Sequence, residues 1–124
     1  MNSEITPQIL SEWLAEMPLP QRARAINLIA YYLTICARDF EIAPKPLKNP
    51  ELAIRMLIGI SELQHQLLQQ IGHYMDGEEV KVYPIDVFAA ILFEKATAYQ
   101  IVPFLKTAIH YVKRRSWPSS AKNQ

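Results

Sequence analysis

The residues most able to do chemistry in this sequence are its three histidines and one glutamate close to the first of them. Glu62 and His65 form an E-x-x-H pair, the spacing that di-iron carboxylate bundles use on two of their four helices. Such a site also needs a second E-x-x-H and two further inward glutamates, and the chain contains no second E-x-x-H. A solvated pair at helical spacing is therefore the favoured interpretation, and the sequence predicts neither a metal site nor a cofactor.

The histidines could also act as acid and base, because imidazole titrates near neutral pH. His65 and His73 are eight residues apart, or about 12 Å along a helix axis, which is too far for one shared metal ion. No sequence feature brings His110 to the other two. Neither a nucleophile-elbow motif nor a phosphate-binding glycine loop is present, so we expect a protein that is not an enzyme.

The element that must position everything else is the uncharged stretch from Ala25 to Ala37. As a helix it is apolar on nearly every face, and such helices are usually central and covered by neighbours. We therefore expect it to pack between the long third helix and the last helix pair. Cys36, the single cysteine, lies inside this stretch and has no partner for an internal disulfide, which fits a reducing cytosol.

Prolines mark the starts of the other helices. Thr6 and Asn49 each precede a proline, a typical N-cap arrangement, and Pro20, Pro84 and Pro103 begin further apolar-periodic segments. These signals predict an all-α, single-domain bundle of about five helices over residues 1–115, followed by a flexible tail over 116–124. Two glycines within the long third helix, Gly59 and Gly72, predict close helix packing at those points.

Charge is balanced overall, with a formal net charge of +1, so no strong field draws the chain to nucleic acid. The N-terminal residues lack the pattern of a signal peptide, and no apolar run approaches the length of a membrane span. We expect a cytoplasmic protein without a membrane segment.

Acidic residues cluster between the third and fourth helices, next to an aromatic side chain. The cluster contains Asp76, Glu78, Glu79, Tyr83 and Asp86. Negative charge beside an aromatic ring suits a basic protein partner, although an ordinary solvated loop has the same composition. These five residues are the candidate partner-binding site.

Basic residues offer an alternative site near the chain's C-terminal end. The candidates for phosphate contact are Arg22, Arg24, Lys113, Arg114 and Arg115. Cations in the last turn of a helix also interact favourably with its dipole without any ligand. The alternative function is a small helical nucleic-acid-associated regulator.

The segments ELAIRMLIGISELQHQLLQQIGHYMDG and YPIDVFAAILFEKATAYQ, with the acidic loop between them, resemble the small all-helical immunity proteins that bacteria pair with polymorphic or contact-dependent toxins. The resemblance covers roughly the last two-thirds of the chain. It implies a cytoplasmic, non-enzymatic binder that neutralises one toxin domain, often a nuclease, by covering its active site. A nuclease presents a basic cleft, which an acidic loop could fill. The partner's identity and the oligomeric state stay open.

Overall fold

Five helices make up the part of the chain that the computed structural model describes, which is residues 4–41, 50–76 and 84–122. The helices are α1 (Pro7–Ala15), α2 (Leu19–Glu41), α3 (Pro50–Asp76), α4 (Ile85–Ala98) and α5 (Val102–Lys122). Side chains are described for residues 4–36, 38, 51–72 and 84–114. The predicted all-α bundle is confirmed.

The start of α1 shows how local sequence sets the helix bounds. Thr6 is extended at φ −121° and its hydroxyl accepts a hydrogen bond from the Ile9 amide at 3.1 Å. Pro7 occupies the first helical position, where its missing N–H costs nothing. The predicted N-cap is therefore confirmed.

The helices are arranged around a common core in which α2 packs against α3 and α5. The fourth helix packs mainly on α1 and also contacts α3 and α5. Gly59 lies against Tyr99 and Glu62 pairs with Lys95, so α3 and α4 run antiparallel. The sequence predicts that α2 packs on both α4 and α5. The structure confirms the contact with α5, whereas α4 packs mainly on α1.

Large apolar side chains from all five helices fill the core, as the apolar stripes predict. Phe88 and Leu92 from α4 meet Leu10 and Leu14 of α1 and Ile29 of α2 in one cluster of buried residues. Transfer of each such side chain from water contributes roughly 1.5–3 kcal/mol. This common core holds the helix surfaces described below in place.

The prediction that α2 is covered on nearly every face is wrong. Beyond its first turn, the exposed residues among its described side chains are Arg24, Asn27, Tyr31, Thr34 and Arg38, which are spaced by threes and fours and therefore share one face. Tyr31 is 58% exposed, although its place in the apolar stretch predicts a core position. The helix is therefore amphipathic, and Tyr31 and Thr34 lie on its solvent-exposed face.

The turn between α4 and α5 is a Schellman motif, the hydrogen-bonded cap that ends many helices. The Ile101 amide donates to the Ala96 carbonyl at 2.8 Å and the Gln100 amide to the Thr97 carbonyl at 3.1 Å. Gln100 has a positive φ of 63°, a conformation that glycine adopts more easily. Ile101 and Ala96 are both fully buried, so apolar contact as well as hydrogen bonding fixes this turn.

Gly59 lies directly beneath that turn. A Cβ atom built on Gly59 would lie 2.4 Å from Cβ of Tyr99 and 3.0 Å from Cδ1 of Ile101. The predicted close packing at Gly59 is therefore confirmed. At Gly72 the same prediction is wrong, because no heavy atom lies within 4 Å of the added Cβ.

The ends of the elements differ from the sequence predictions in one large respect. The backbone of α5 is helical as far as Lys122, so most of the predicted tail over 116–124 continues the helix. Residues 79–83, where a weak alternation of apolar and polar side chains could indicate a brief extended segment, lie outside the described residues. No helix in the described ranges is both long and apolar enough to cross a membrane.

Candidate functional site

The structure separates the residues that could have formed a catalytic or metal site. Glu62 pairs with Lys95 of α4 at 3.7 Å, and His65 is exposed on the outer side of α3. His110 is exposed on α5 beside Tyr111, with 6.2 Å between ring centroids. Within the described side chains, no three His, Cys, Asp or Glu groups come together as metal ligands. The side chain of His73 lies outside that set.

The acidic candidates fall largely outside the described residues. Asp76 is the last residue of α3, and only its backbone is described. Asp86 is exposed in the first turn of α4, where its Oδ1 accepts from the Val87 amide at 2.9 Å. Glu78, Glu79 and Tyr83 are not described, so the acidic binding site stays a prediction.

Of the basic candidates, Arg22 has a clear structural role. Its Nε donates to the Leu14 carbonyl at 2.9 Å, and its Nη2 donates to the Met17 carbonyl at 3.1 Å. A third, longer contact reaches the Ala15 carbonyl at 3.5 Å. The guanidinium thus caps the C-terminal end of α1, where unpaired carbonyls and the helix dipole both favour a cation.

The basic residues of α5 are also partly engaged inside the molecule. The ammonium group of Lys113 lies 5.6 Å from the centroid of the Trp13 ring, within cation–π range. Lys106 forms an ion pair with Glu4 ahead of α1. Arg114 is exposed, and the side chain of Arg115 is outside the described set. Arg22 and Lys113 are thus both engaged with α1.

A cluster of tyrosines joins α2 and α5 at the surface. The Tyr31 and Tyr32 rings meet edge to face at 5.7 Å, and the Tyr32 and Tyr111 rings lie 5.6 Å apart at 30°. Both distances are in the range of favourable aromatic pairs. Tyr31 and Tyr111 are 58% and 45% exposed, so the outer members of the cluster present much of their rings to solvent.

Exposed arginines lie on the same two helices as this cluster. Arg24 and Arg38 lie seven residues to either side of Tyr31 on the same face of α2, and Arg114 lies one turn beyond Tyr111 on α5. Among the described side chains, no ion pair joins any of these three arginines to an acid. We call this set the tyrosine–arginine face: Arg24, Tyr31, Arg38, Tyr111 and Arg114.

An open depression adjoins the tyrosine–arginine face at Tyr111. It is lined by Glu4, Ile5, Lys106, Thr107 and His110 together with Tyr111. The Lys106 ion pair lies within it, so its charge is locally balanced. The depression can receive part of a partner's surface beside Tyr111.

Sequence reasoning missed the tyrosine–arginine face because it assigned the tyrosines to apolar stripes. The signal that could have found it is the spacing of Arg24, Asn27, Tyr31, Thr34 and Arg38, which predicts one shared face. The neighbouring position of Tyr111 carried no such signal, because it depends on how α5 packs against α2.

Comparison with known proteins found no matching family model, no matching curated protein and no matching solved structure.

Proposed function

We propose that this chain is a non-enzymatic protein-binding module and that the tyrosine–arginine face forms part of its binding surface. The observation that carries the proposal is the solvent exposure of Tyr31 and Tyr111, 58% and 45%, on two helices that also expose three arginines. Tyrosine and arginine are the residue types most enriched, with tryptophan, among those that dominate binding energy in protein interfaces. A rigid aromatic ring supplies contact area at a small cost in conformational entropy.

The ring contacts favour this role because they hold the tyrosines in place before a partner binds. Tyr32 contacts both Tyr31 and Tyr111, so the exposed rings are supported from within the cluster. Prior ordering of a binding surface reduces the entropy lost on association. The three arginines add a positive rim, which suits an acidic region on the partner.

The more specific proposal is that the module is a cytoplasmic immunity protein that neutralises a bacterial toxin domain. It is supported by the resemblance of the α3 and α4 segments and by the acidic cluster between them. In this form of the proposal, Asp76, Glu78, Glu79, Tyr83 and Asp86 engage a basic partner surface. The tyrosine–arginine face then contacts a second, acidic region of the same partner.

The test of the module begins with affinity capture from the native host, followed by purification of the captured protein and calorimetric measurement of its affinity. We expect Tyr31→Ser and Tyr111→Ser each to weaken binding at least about tenfold, because each removes an aromatic anchor. Leu19→Ser is the matched control, since Leu19 is 48% exposed but lies outside the face. Equal affinities for all three variants would remove the tyrosine–arginine face from the proposal.

The acidic cluster has its own test with the same purified partner. Reversal of Asp76, Glu78 and Glu79 to lysine is expected to weaken binding at low salt by about a hundredfold, and the loss should shrink as added salt screens the new repulsion. An unchanged affinity in this triple variant would exclude the cluster, while leaving the result for the tyrosines intact. Growth protection against the co-expressed partner measures neutralisation directly.

Nucleic-acid binding is the second candidate function, and one observation favours it. Residues 19–38 of α2 and 102–114 of α5 contain six cations and no acid, and the structure packs these helices together with tyrosines exposed between them. Bases of a single strand stack on such rings, at about 1–3 kcal/mol each. However, Arg22, Lys106 and Lys113 are engaged within the molecule, so we rank this candidate second.

Fluorescence anisotropy with labelled single-stranded oligonucleotides distinguishes the two candidates. If the face binds nucleic acid, we expect micromolar binding at about 50 mM salt that is lost near 200 mM. Tyr31→Ser should then weaken binding by roughly tenfold through lost stacking. The absence of an anisotropy change at low salt would dismiss nucleic-acid binding.

A further inference from the structure

The outer side of α3 carries an apolar stripe that faces solvent. Ile54, Ile58 and Leu68 are 58%, 49% and 52% exposed, and exposed Ser61 and His65 lie between them. The five residues are separated by four, three, four and three positions, which is the spacing of a coiled-coil seam. We call these five residues the α3 stripe.

The rest of the bundle contacts α3 on either side of the stripe. On one side, Gln64 donates to the Ala30 carbonyl of α2 at 3.0 Å. On the other side, Glu62 pairs with Lys95 of α4. Ile60, Leu63 and Leu67 point the opposite way and are buried in the core. The stripe therefore faces outward between the two contacts, where another helix can reach it.

We propose that a second copy of this chain covers the α3 stripe, with the two α3 helices antiparallel about a two-fold axis. Two exposed residues of opposite charge border the stripe on the same edge, seven residues apart: Arg55, and Glu62, whose carboxylate also pairs with Lys95 of its own chain. In an antiparallel pair, residues on this edge face the same edge of the other helix. The two-fold axis then sets Arg55 opposite Glu62 of the second copy, and it does so twice.

Charge also selects this alignment over its neighbours. A slide by one heptad in one direction sets Arg55 opposite Arg55, and a slide in the other direction sets Glu62 opposite Glu62. Facing like charges are destabilising, so the intermediate alignment is preferred. In that alignment, Ile58 packs over Ser61 of the second copy, where the small side chain permits close approach of the two helices. Ile54 packs against His65 of the second copy, and at each end of the contact Leu68 lies beside the aliphatic stem of Glu51.

The resulting dimer is bivalent. Arg24, Tyr31, Arg38, Tyr111 and Arg114 belong to α2 and α5, so none of them is part of the α3 stripe. Each copy keeps its own tyrosine–arginine face, and two partner sites on one particle raise the apparent affinity for a clustered partner. The dimer itself does not depend on the proposed function.

Sedimentation equilibrium of the full chain between about 1 and 100 μM tests this proposal. We expect a species of twice the 14.3 kDa chain mass. Arg55→Glu should raise the dimer dissociation constant about tenfold, because it sets two pairs of like charges face to face. Glu62→Arg should raise it at least as much, because it also places a second cation beside Lys95. The double variant Arg55→Glu/Glu62→Arg restores both pairs between the copies with their signs exchanged but leaves Lys95 without its acid, so its dissociation constant should fall at least about threefold below that of Glu62→Arg.

The apolar part has a separate test with a matched control. Ile58→Ser should give a monomer with unchanged helical circular dichroism, because Ile58 is 49% exposed and contributes little to the core. Val87→Ser, which alters a 39% exposed residue of α4, should leave the dimer unchanged. A monomeric wild type throughout the concentration range, or a dimer insensitive to Ile58→Ser, would overturn the proposal. Failure of the double charge variant to restore dimerisation would overturn the antiparallel alignment.

Discussion

Replacement of Gly59 by alanine is expected to lower the free energy of unfolding by about 2–3 kcal/mol. The new methyl group would lie 2.4 Å from Cβ and 2.6 Å from Cγ of Tyr99, well inside van der Waals contact. These are not the far atoms of a flexible side chain. Tyr99 Cβ is fixed to the Schellman turn, which is held by the Ile101 and Gln100 hydrogen bonds, so α3 itself must move. Overpacking of this kind costs typically 1–3 kcal/mol.

Gly72 supplies the matched control on the same helix. Gly72→Ala should raise the free energy of unfolding by about 0.5–1 kcal/mol, because alanine is the better helix former and the added Cβ meets no atom within 4 Å. Urea unfolding followed by circular dichroism measures both variants. Opposite signs support the close approach of α3 to the α4–α5 turn. A stabilised Gly59→Ala variant would mean that the two elements are farther apart.

Replacement of Arg22 by methionine is the second change with a large expected effect, a loss of about 2 kcal/mol. The arginine donates to the carbonyls of Leu14 and Met17 at 2.9 and 3.1 Å. A hydrogen bond that involves a charged group stabilises a folded protein by about 1.5–3 kcal/mol. Methionine keeps the apolar stem but leaves these carbonyls to water. Thermal unfolding by circular dichroism measures the loss.

Two further variants identify the cause of that loss. Arg22→Lys should recover less than half of it, because a single ammonium group cannot reproduce the fork of a guanidinium that bridges several acceptors. Arg24→Ala, on the exposed side of the same turn, should change the unfolding free energy by no more than about 0.5 kcal/mol. If Arg22→Met were as harmless as Arg24→Ala, the capping role would be wrong. The result also matters for nucleic-acid assays, since loss of binding in an Arg22 variant would reflect the loosening of α1.

Much of the fold could be predicted from local signals. Thr6 followed by Pro7 marks the start of α1 because the cap involves only the next few residues. Apolar spacing identified the buried sides of α1, α3 and α4, since a helix repeats every 3.6 residues whatever lies beside it. Pro50 begins α3 as predicted, and α2 begins only one residue before the predicted Pro20.

The candidate site was less accessible to such reasoning. The acidic cluster and the basic residues were identified as sequence patterns, but a charge pattern does not say which groups are engaged elsewhere. Arg22 contacts carbonyls of the preceding helix, eight and five residues away, and Lys113 contacts Trp13 across the whole chain. Whether these two cations are free to bind a ligand depends on their contacts with α1, and those contacts form only when the helices pack together.

The sequence by itself determined where most of the helices begin and which side of most of them is apolar, because those properties arise from backbone geometry and from residues within a few turns. Only the tertiary structure decided that Tyr31 is exposed, that Tyr111 joins it through Tyr32, and that Gly59 but not Gly72 touches another element. The physical reason is that a helix has several faces able to pack. Which faces are covered depends on contacts between residues far apart in the chain, and these form only when the five helices assemble.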